Sequence, residues 1–330
     1  MPSNRPSLFL PLILIALALN GCQFEYSTGD LTPKAIFIIV DGIPADVLES
    51  VPTPYIDAIA GVGGYSRAYV GGEAGGPSES PTVSAVGYNS LLTGTWANKH
   101  NVYTNAIENP DYGYWDIFRM AKFHAATTHT ALFSTWEDNR TKLLGEGLPA
   151  AGGNKLDYYF DGFENDLQRF PHDDASEYIR KIDELVSEEA ARYVRDAGPD
   201  LSWVYLQYTD DVGHRFGDGE DLTAAVTMMD ANVGKIWRAV QGRQSTEQED
   251  WLVVVTTDHG RDIETGRRHG GQSERERTIW IATNSARLNA RFYGTPAIVD
   301  ILPSVASHLG IQMPQEITAQ LDGQSFIAVE

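Results

Sequence analysis

Leu252-Val253-Val254-Val255-Thr256-Thr257-Asp258-His259-Gly260 is a run of apolar and β-branched residues that stops at an acid, an imidazole and a glycine. A strand with one wet face would alternate apolar and polar residues. This run does not alternate, so it fits a strand covered on both faces, as in a parallel sheet. The same design recurs on either side of it. Ala35-Ile36-Phe37-Ile38-Ile39-Val40 stops at Asp41-Gly42, and Trp203-Val204-Tyr205-Leu206-Gln207-Tyr208 stops at Thr209-Asp210-Asp211. Thr130-Ala131-Leu132-Phe133-Ser134, ending near Trp136 and Glu137, and Thr278-Ile279-Trp280-Ile281-Ala282 are shorter runs of the same kind.

Helical spacing fills the gaps between these runs. Residues 177–186 carry apolar side chains three and four apart, as does 222–240 through Val226, Met229, Val233, Ile236 and Trp237. Residues 298–309 read as a helix with Pro303 near its first turn and Gly310 closing it. Strand and helix in alternation predict an α/β protein, a three-layer sandwich with a mainly parallel central sheet. Residues 95–175 are less regular and rich in Tyr, Trp, Asn, Asp and Gly, which predicts an irregular cap insertion over a substrate site, with plain surface loops as the alternative.

The chain has 330 residues, 42% hydrophobic and 21% charged, which is enough for a sizeable core and excludes disordered, collagenous and coiled-coil classes. Its net charge is −20, and no basic cluster exceeds Arg267-Arg268. Such a surface repels polyanions, so no nucleic-acid polymer is expected as a partner. An anionic small molecule would need some other attraction, and bound metal is the obvious source.

Cys22 is the single cysteine, so a disulfide framework and a cysteine-based zinc site are both excluded. Its position is informative. Arg5, the apolar run Leu8–Leu19 and then Asn20-Gly21-Cys22 read as a secretory signal over residues 1–21, too short for a comfortable membrane span. Leu19-Asn20-Gly21-Cys22 resembles a bacterial lipobox, which implies lipid on Cys22, a tether over residues 22–33 and a catalytic domain over 34–330. Gln23 follows, not the Asp that often retains lipoproteins at the inner membrane. The expected location is the outer membrane, facing the periplasm or the exterior, with the membrane as a partner through the anchor.

Ligands in open parallel sheets sit beyond the carboxyl ends of the strands. Three of the best strands here run out at Asp41, Asp210 and Asp258, with His214, His259 and His269 close behind in sequence. Alone, each acid reads as a cap or turn residue and each histidine as an ordinary surface or core residue. Together they supply carboxylate oxygen and imidazole nitrogen at one sheet edge, a donor set that suits divalent ions of the zinc type. Ser84, in Pro81-Thr82-Val83-Ser84, could by itself be a helix cap; beside a cation its hydroxyl becomes a nucleophile, with a helix N-terminus to hold the attacked anion.

The ordered pieces Ile38-Ile39-Val40-Asp41-Gly42, Pro81-Thr82-Val83-Ser84 with Leu91-Leu92-Thr93-Gly94, Asp210-Asp211-Val212-Gly213-His214, Thr257-Asp258-His259-Gly260 and His269-Gly270-Gly271 resemble the alkaline phosphatase superfamily. Within it they are most similar to the type I phosphodiesterase/nucleotide pyrophosphatase branch. The resemblance implies one metal held by Asp210, His214 and His269, and a second by Asp41, Asp258, His259 and the Ser84 oxygen. It implies two divalent ions, zinc by preference with manganese or iron as alternatives, about 4 Å apart. It also implies attack by Ser84 on phosphorus, a covalent phospho-enzyme, and hydrolysis by water at the first metal. The implied substrate is a small phosphate ester, most of all a diester. Phosphomonoester, phosphonate and sulfate hydrolysis on the same fold are the alternatives, together with a lipid-anchored binding protein that has lost turnover. The Pro and Arg that follow the nucleophile of formylglycine sulfatases are absent from Ser84-Ala85-Val86-Gly87-Tyr88. By the same resemblance an Asn is expected three residues after the nucleophile to hold a non-bridging oxygen; Gly87 stands there, leaving Asn89, His100 and the tyrosines as candidates for that task.

Overall fold

Along strand β1 (Thr32–Val40), Ala35, Phe37 and Ile39 pack into one hydrophobic cluster, and Ile36, Ile38 and Val40 into another on the opposite face. That is the two-sided burial the unbroken apolar run demands. The computed structural model describes Met1 and residues 31–328. The chain divides into two units, 1–30 and 31–330, and the fold belongs to the second. The expected signal peptide and Cys22 lie outside the described residues. Of the expected tether, Thr32 and Pro33 belong to β1.

Six further strands complete the sheet: β2 (Gly64–Tyr69), β3 (Thr130–Ser134), β4 (Tyr158–Phe160), β5 (Leu201–Leu206), β6 (Glu249–Thr256) and β7 (Thr278–Thr283). Their order is β2-β7-β6-β1-β5-β3-β4. The β6-β1-β5-β3-β4 portion is parallel, and β7 and β2 join by antiparallel pairing. The mainly parallel α/β sandwich is therefore the observed architecture.

Helices cover both faces. On the Phe37 side lie α1 (Ser84–Thr93), α2 (Ile117–His124) and, later in the chain, the helix Ile301–His308. On the Ile38 side lie α3 (Glu177–Ala197) and α5 (Glu220–Thr246), separated in sequence by the short α4 (Tyr208–Phe216). The spacing-based helices are thus present, with α3 and α5 longer than the apolar pattern alone marks out. Their extra turns are the amphipathic ends, where charged residues obscure the pattern.

The central β1 is flanked by β6 and β5, with Ile39 opposite Thr256 and Val40 opposite Leu206. Extending that register by two residues sets Asp41 level with Asp258. Neighbouring strands are about 4.8 Å apart, so groups at three adjacent carboxyl ends meet without any long loop.

Two strands were not legible as runs. β2 is a half-exposed edge strand, Gly64-Tyr65-Ser66-Arg67-Ala68-Tyr69, and β4 has only three residues at the other edge. Residues 95–175 are not a single cap. They contribute β3 and β4 to the sheet, and Phe118, Met120 and Ala121 of α2 to the core. The irregular part is confined to the connections around them, including a π-helical turn at Asn139–Leu143.

Candidate metal centre

Asp41 is the first residue beyond β1. Its Oδ2 accepts a hydrogen bond from Tyr205 at 2.6 Å and another from Tyr88, while its Oδ1 is buried with no partner. Asp258, two residues beyond β6, accepts from the Gly42 N–H through Oδ1 at 3.1 Å, and its Oδ2 is likewise buried and unpartnered. His259 Nε2 lies 3.4 Å from the free Asp41 oxygen, 3.3 Å from the free Asp258 oxygen and 3.4 Å from Ser84 Oγ. The other ring nitrogen, Nδ1, is 2.9 Å from the Gly260 carbonyl and must carry the proton to bond it. Nε2 therefore presents a lone pair toward the two unpartnered carboxyl oxygens.

A second group adjoins the first. β5 ends at Leu206, four residues before Asp210, so Asp210 sits in the first turn of α4 rather than directly at a strand end. His214 is one turn further along the same helix face, with Nε2 3.2 Å from Asp210 Oδ2. His269 reaches in from the loop after β6, with Nε2 3.8 Å from Asp210 Oδ1 and 3.0 Å from His214 Nε2. Its Nδ1 donates to the Thr82 carbonyl at 2.9 Å, and Thr82 Oγ1 accepts from Gly270 N and donates to Gly271 O. Thr82 thus fixes the His269-Gly270-Gly271 turn, which explains why Pro81-Thr82-Val83-Ser84 matters as a unit. The His259 and His269 rings stack at 3.7 Å between centroids.

Ser84 is the first residue of α1, and Val83 occupies the cap position, so the Ser84 hydroxyl is not spent on capping. All seven expected residues are therefore brought together. Donor atoms of Asp210, His214 and His269 lie within 4.8 Å of one another, and so do those of Asp41, Asp210 and His259. Asp210 belongs to both groups.

Electrostatics distinguishes the two groups. Burial, then the charges of Asp258 and Asp210, pushes the Asp41 carboxyl well up, and burial raises Asp258 to about 7. Burial also pushes Asp210 upward, but the His214 hydrogen bond and the Arg261 guanidinium outweigh it and hold that carboxyl below its usual range. His259 and His269 are pushed down, chiefly by burial, and His214 up by its bond to Asp210. A divalent cation answers what this arrangement lacks. The orphaned Asp41 and Asp258 oxygens and the Nε2 atoms of His259 and His269 are oxygen and nitrogen of the type zinc-like ions take, and a bound cation would offset the burial that pushes both carboxyls up. The Asp41 side is wholly buried, while His214 is about half exposed, so the second group opens to solvent.

A cavity of about 250 Å³ leads to the centre, lined by Asp41, Ser84, Tyr88, Asn105, Trp136, Tyr205, Gln207 and Asp210. A larger one, about 570 Å³, opens beside Trp251 and His308 at the opposite end of the sheet and holds none of the expected residues.

Three residues that sequence reasoning missed help build the site. Arg261, fully buried, donates to the Gly42 carbonyl at 2.9 Å, to the Asp210 carbonyl at 2.8 Å and to the Asp210 carboxylate. Its presence explains two glycines. A Cβ on Gly42, whose φ is +66°, would stand 2.5 Å from Asp210 Oδ1, and one on Gly213 would overlap the guanidinium. Asp183 on α3 accepts from the Gln207 and Tyr208 N–H groups at 3.0 and 2.9 Å and so fixes the start of α4. Asn105 lies in the irregular connection before α2, and its Oδ1 accepts from the Ala85 N–H at 2.9 Å. With the oxygen so engaged, its amide N–H₂ is the end left to donate.

Neither Asn89, which faces a different cleft, nor His100, whose ring is bonded elsewhere, is among the residues lining the cavity that leads to Ser84. Asn89 lines a narrow cleft with Thr93 and Tyr112, and His100 is bonded to Ser90 Oγ and Val102 N. Gly87 itself has no room for a side chain, since a Cβ would lie 2.8 Å from the Asp258 carbonyl oxygen.

A family model described as type I phosphodiesterase / nucleotide pyrophosphatase matches residues 35–268. Bis(5'-adenosyl)-triphosphatase enpp4 of Xenopus laevis is 21% identical over 257 residues, 76% of this chain and 52% of that protein. The chain thus spans about half the length of this curated relative. Among solved structures, the phosphonate monoester hydrolase of Agrobacterium radiobacter superposes with a TM-score of 0.57 at 14% identity, covering 89% of this chain and 76% of the other. A 2-O GAG sulfatase superposes with a TM-score of 0.60 at 14% identity, covering 89% and 73%. These two likenesses are of fold.

Proposed function

The chain belongs to the type I phosphodiesterase/nucleotide pyrophosphatase family of the alkaline phosphatase superfamily, and on that premise we propose that it hydrolyses small phosphoric esters, diesters first, with Ser84 as nucleophile. The observation that carries the reading is the convergence of Asp41 Oδ1, Asp258 Oδ2, His259 Nε2 and Ser84 Oγ on one buried point at the N-terminus of α1. Asp41, Asp258 and His259, with Ser84, would hold one divalent ion, and Asp210, His214 and His269 the other, zinc by preference. When bound, the ions would supply positive charge for the attacking and leaving oxygens and make hydroxyl and water protons easier to remove.

The chain's own residues supply the rest. Ser84 Oγ gives up its proton and attacks phosphorus, the ester oxygen opposite it takes up a proton and departs as an alcohol, and the phosphoryl group with its remaining ester is left on Ser84. A water then attacks phosphorus, releasing a phosphomonoester and restoring the serine. Asn105 Nδ2 donates to a non-bridging oxygen, which lies at the positive end of the α1 dipole. None of the eight residues lining the pocket is lysine or arginine, which favours a singly charged diester over a doubly charged monoester. We also propose that the protein is exported and lipid-anchored at Cys22 in the outer membrane. Among the described residues no helix is long and apolar enough to cross a membrane.

The test is a comparison of kcat/KM on p-nitrophenyl monoester, bis-p-nitrophenyl diester, p-nitrophenyl phosphonate and sulfate after loading with zinc, manganese or iron. A diester rate well above the others supports the proposal. A preference for sulfate, monoester or phosphonate overturns it, and no turnover with any of the metals favours a binding protein.

A further inference from the structure

We propose that Tyr88 and Tyr205 are positioning residues that restrict Asp41 to a single-oxygen ligand; this rests on the reading of Asp41 as a metal ligand. Tyr88 lies one helical turn beyond Ser84 on α1, and Tyr205 is the penultimate residue of β5. Their rings meet at 4.9 Å between centroids, and both are buried, at 0% and 2% exposure. The hydroxyls are 2.9 Å apart, and both contact the same oxygen, Asp41 Oδ2, Tyr205 at 2.6 Å.

Proton counting decides what this contact means. Two phenols carry two protons, and three oxygens lie in mutual contact. Tyr205 donates to Oδ2, and the Tyr88 hydroxyl, in reach of both Oδ2 and Tyr205 Oη, has in the charged carboxylate the stronger acceptor. Both phenols therefore donate to Oδ2, which fills that oxygen's two acceptor positions. Oδ1, buried and unpartnered, is the one oxygen Asp41 has left to give. The same contacts fix the rotation of the carboxylate, because the two donors come from different layers, a helix and a strand. Partners of a ligating group that act this way typically change metal affinity 10–100-fold when removed. An Asp41 free to use both oxygens would offer the ion one donor more.

The experiment uses the full chain, stripped of metal and reloaded with Co²⁺, as wild type, Tyr88→Phe, Tyr205→Phe and the double variant. The visible spectrum reports coordination number, because four-coordinate Co²⁺ absorbs more intensely than five- or six-coordinate. Chelator competition reports Zn²⁺ affinity. We expect weaker, shifted bands and a 10–100-fold change in affinity for the double variant, with each single variant between it and wild type. The single variants keep the test decisive should the double variant fail to fold. Spectra and affinities equal to wild type in the folded variants would overturn the inference. Should wild type and Asp41→Ala bind the same number of ions with the same affinity, the ligand assignment itself fails instead.

Discussion

Replacing Gly87 by alanine tests how closely α1 must approach the Asp258-His259 segment. A Cβ there would lie 2.8 Å from the Asp258 carbonyl oxygen and 3.0 Å from Asp258 Cβ. Neither neighbour is the tip of a flexible side chain. Restoring an ordinary contact of about 3.5 Å requires the helix and the loop to part by about 0.7 Å. Ser84 is three residues away on that helix, and His259 adjoins Asp258, so the separation falls on the Ser84–His259 gap, now 3.4 Å. Overpacking of this kind costs about 1–3 kcal/mol, while alanine regains about 1 kcal/mol of helix propensity over glycine. The net loss of stability is therefore small, about 0–2 kcal/mol. Catalysis should suffer more, because a misplacement near 1 Å costs about 100-fold. We expect kcat/KM on bis-p-nitrophenyl phosphate to fall about 30-fold, with thermal unfolding nearly unchanged. Gly61→Ala is the control, since its Cβ would meet nothing within 4 Å; it should leave activity intact. A Gly87→Ala enzyme within twofold of wild type would refute the reasoning.

Ser84→Ala should abolish turnover while metal content stays near wild type, because six other donor residues remain in place; elemental analysis beside the diester assay checks both halves, and surviving turnover would show the nucleophile to be misassigned. Asn105→Ala removes the acceptor of the Ala85 N–H and the free amide donor together, and should lower kcat by about 100-fold or more; a change in KM alone would place Asn105 outside the reacting centre. Burial holds His100 neutral, its pKa pushed down to about 3, so only the unfolded chain gains its proton as pH falls below 6.5. Its contribution is thus complete above pH 6.5 and is lost on acidification at about 1.4 kcal/mol per unit, about 2 kcal/mol by pH 5. In urea titrations at pH 7 and pH 5, His100→Asn should show a difference smaller by that amount.

The central strands were readable because burial on both faces leaves unbroken apolar runs. Their ends were readable because an Asp breaks such a run abruptly. Asp41, Asp258 and the histidines could be gathered near one sheet edge from strand ends, whereas Asp210 belongs to the first turn of α4 and the division into two ligand sets came from the family resemblance. Edge strands escaped, since the half-exposed Gly64–Tyr69 and the three-residue Tyr158–Phe160 have too little of that pattern. The supporting residues escaped for a different reason. Arg261, Asp183 and Asn105 act through partners far away in the chain, and nothing local separates an arginine fixed inside the site from one on the surface. Gly87 looked like a missing side chain and is instead a point of close approach.

The Arg261 guanidinium, together with the bare backbones of Gly42 and Gly213, behaves as one interlocked part spread over two loops and the helix α4. None of the three can be altered alone to advantage. A methyl group at either glycine evicts the guanidinium, and a shorter side chain at 261 leaves a hollow lined by the polar groups it once served. Drift among relatives should therefore exchange these positions as a set, and directed evolution that samples one codon at a time will find this corner of the molecule closed.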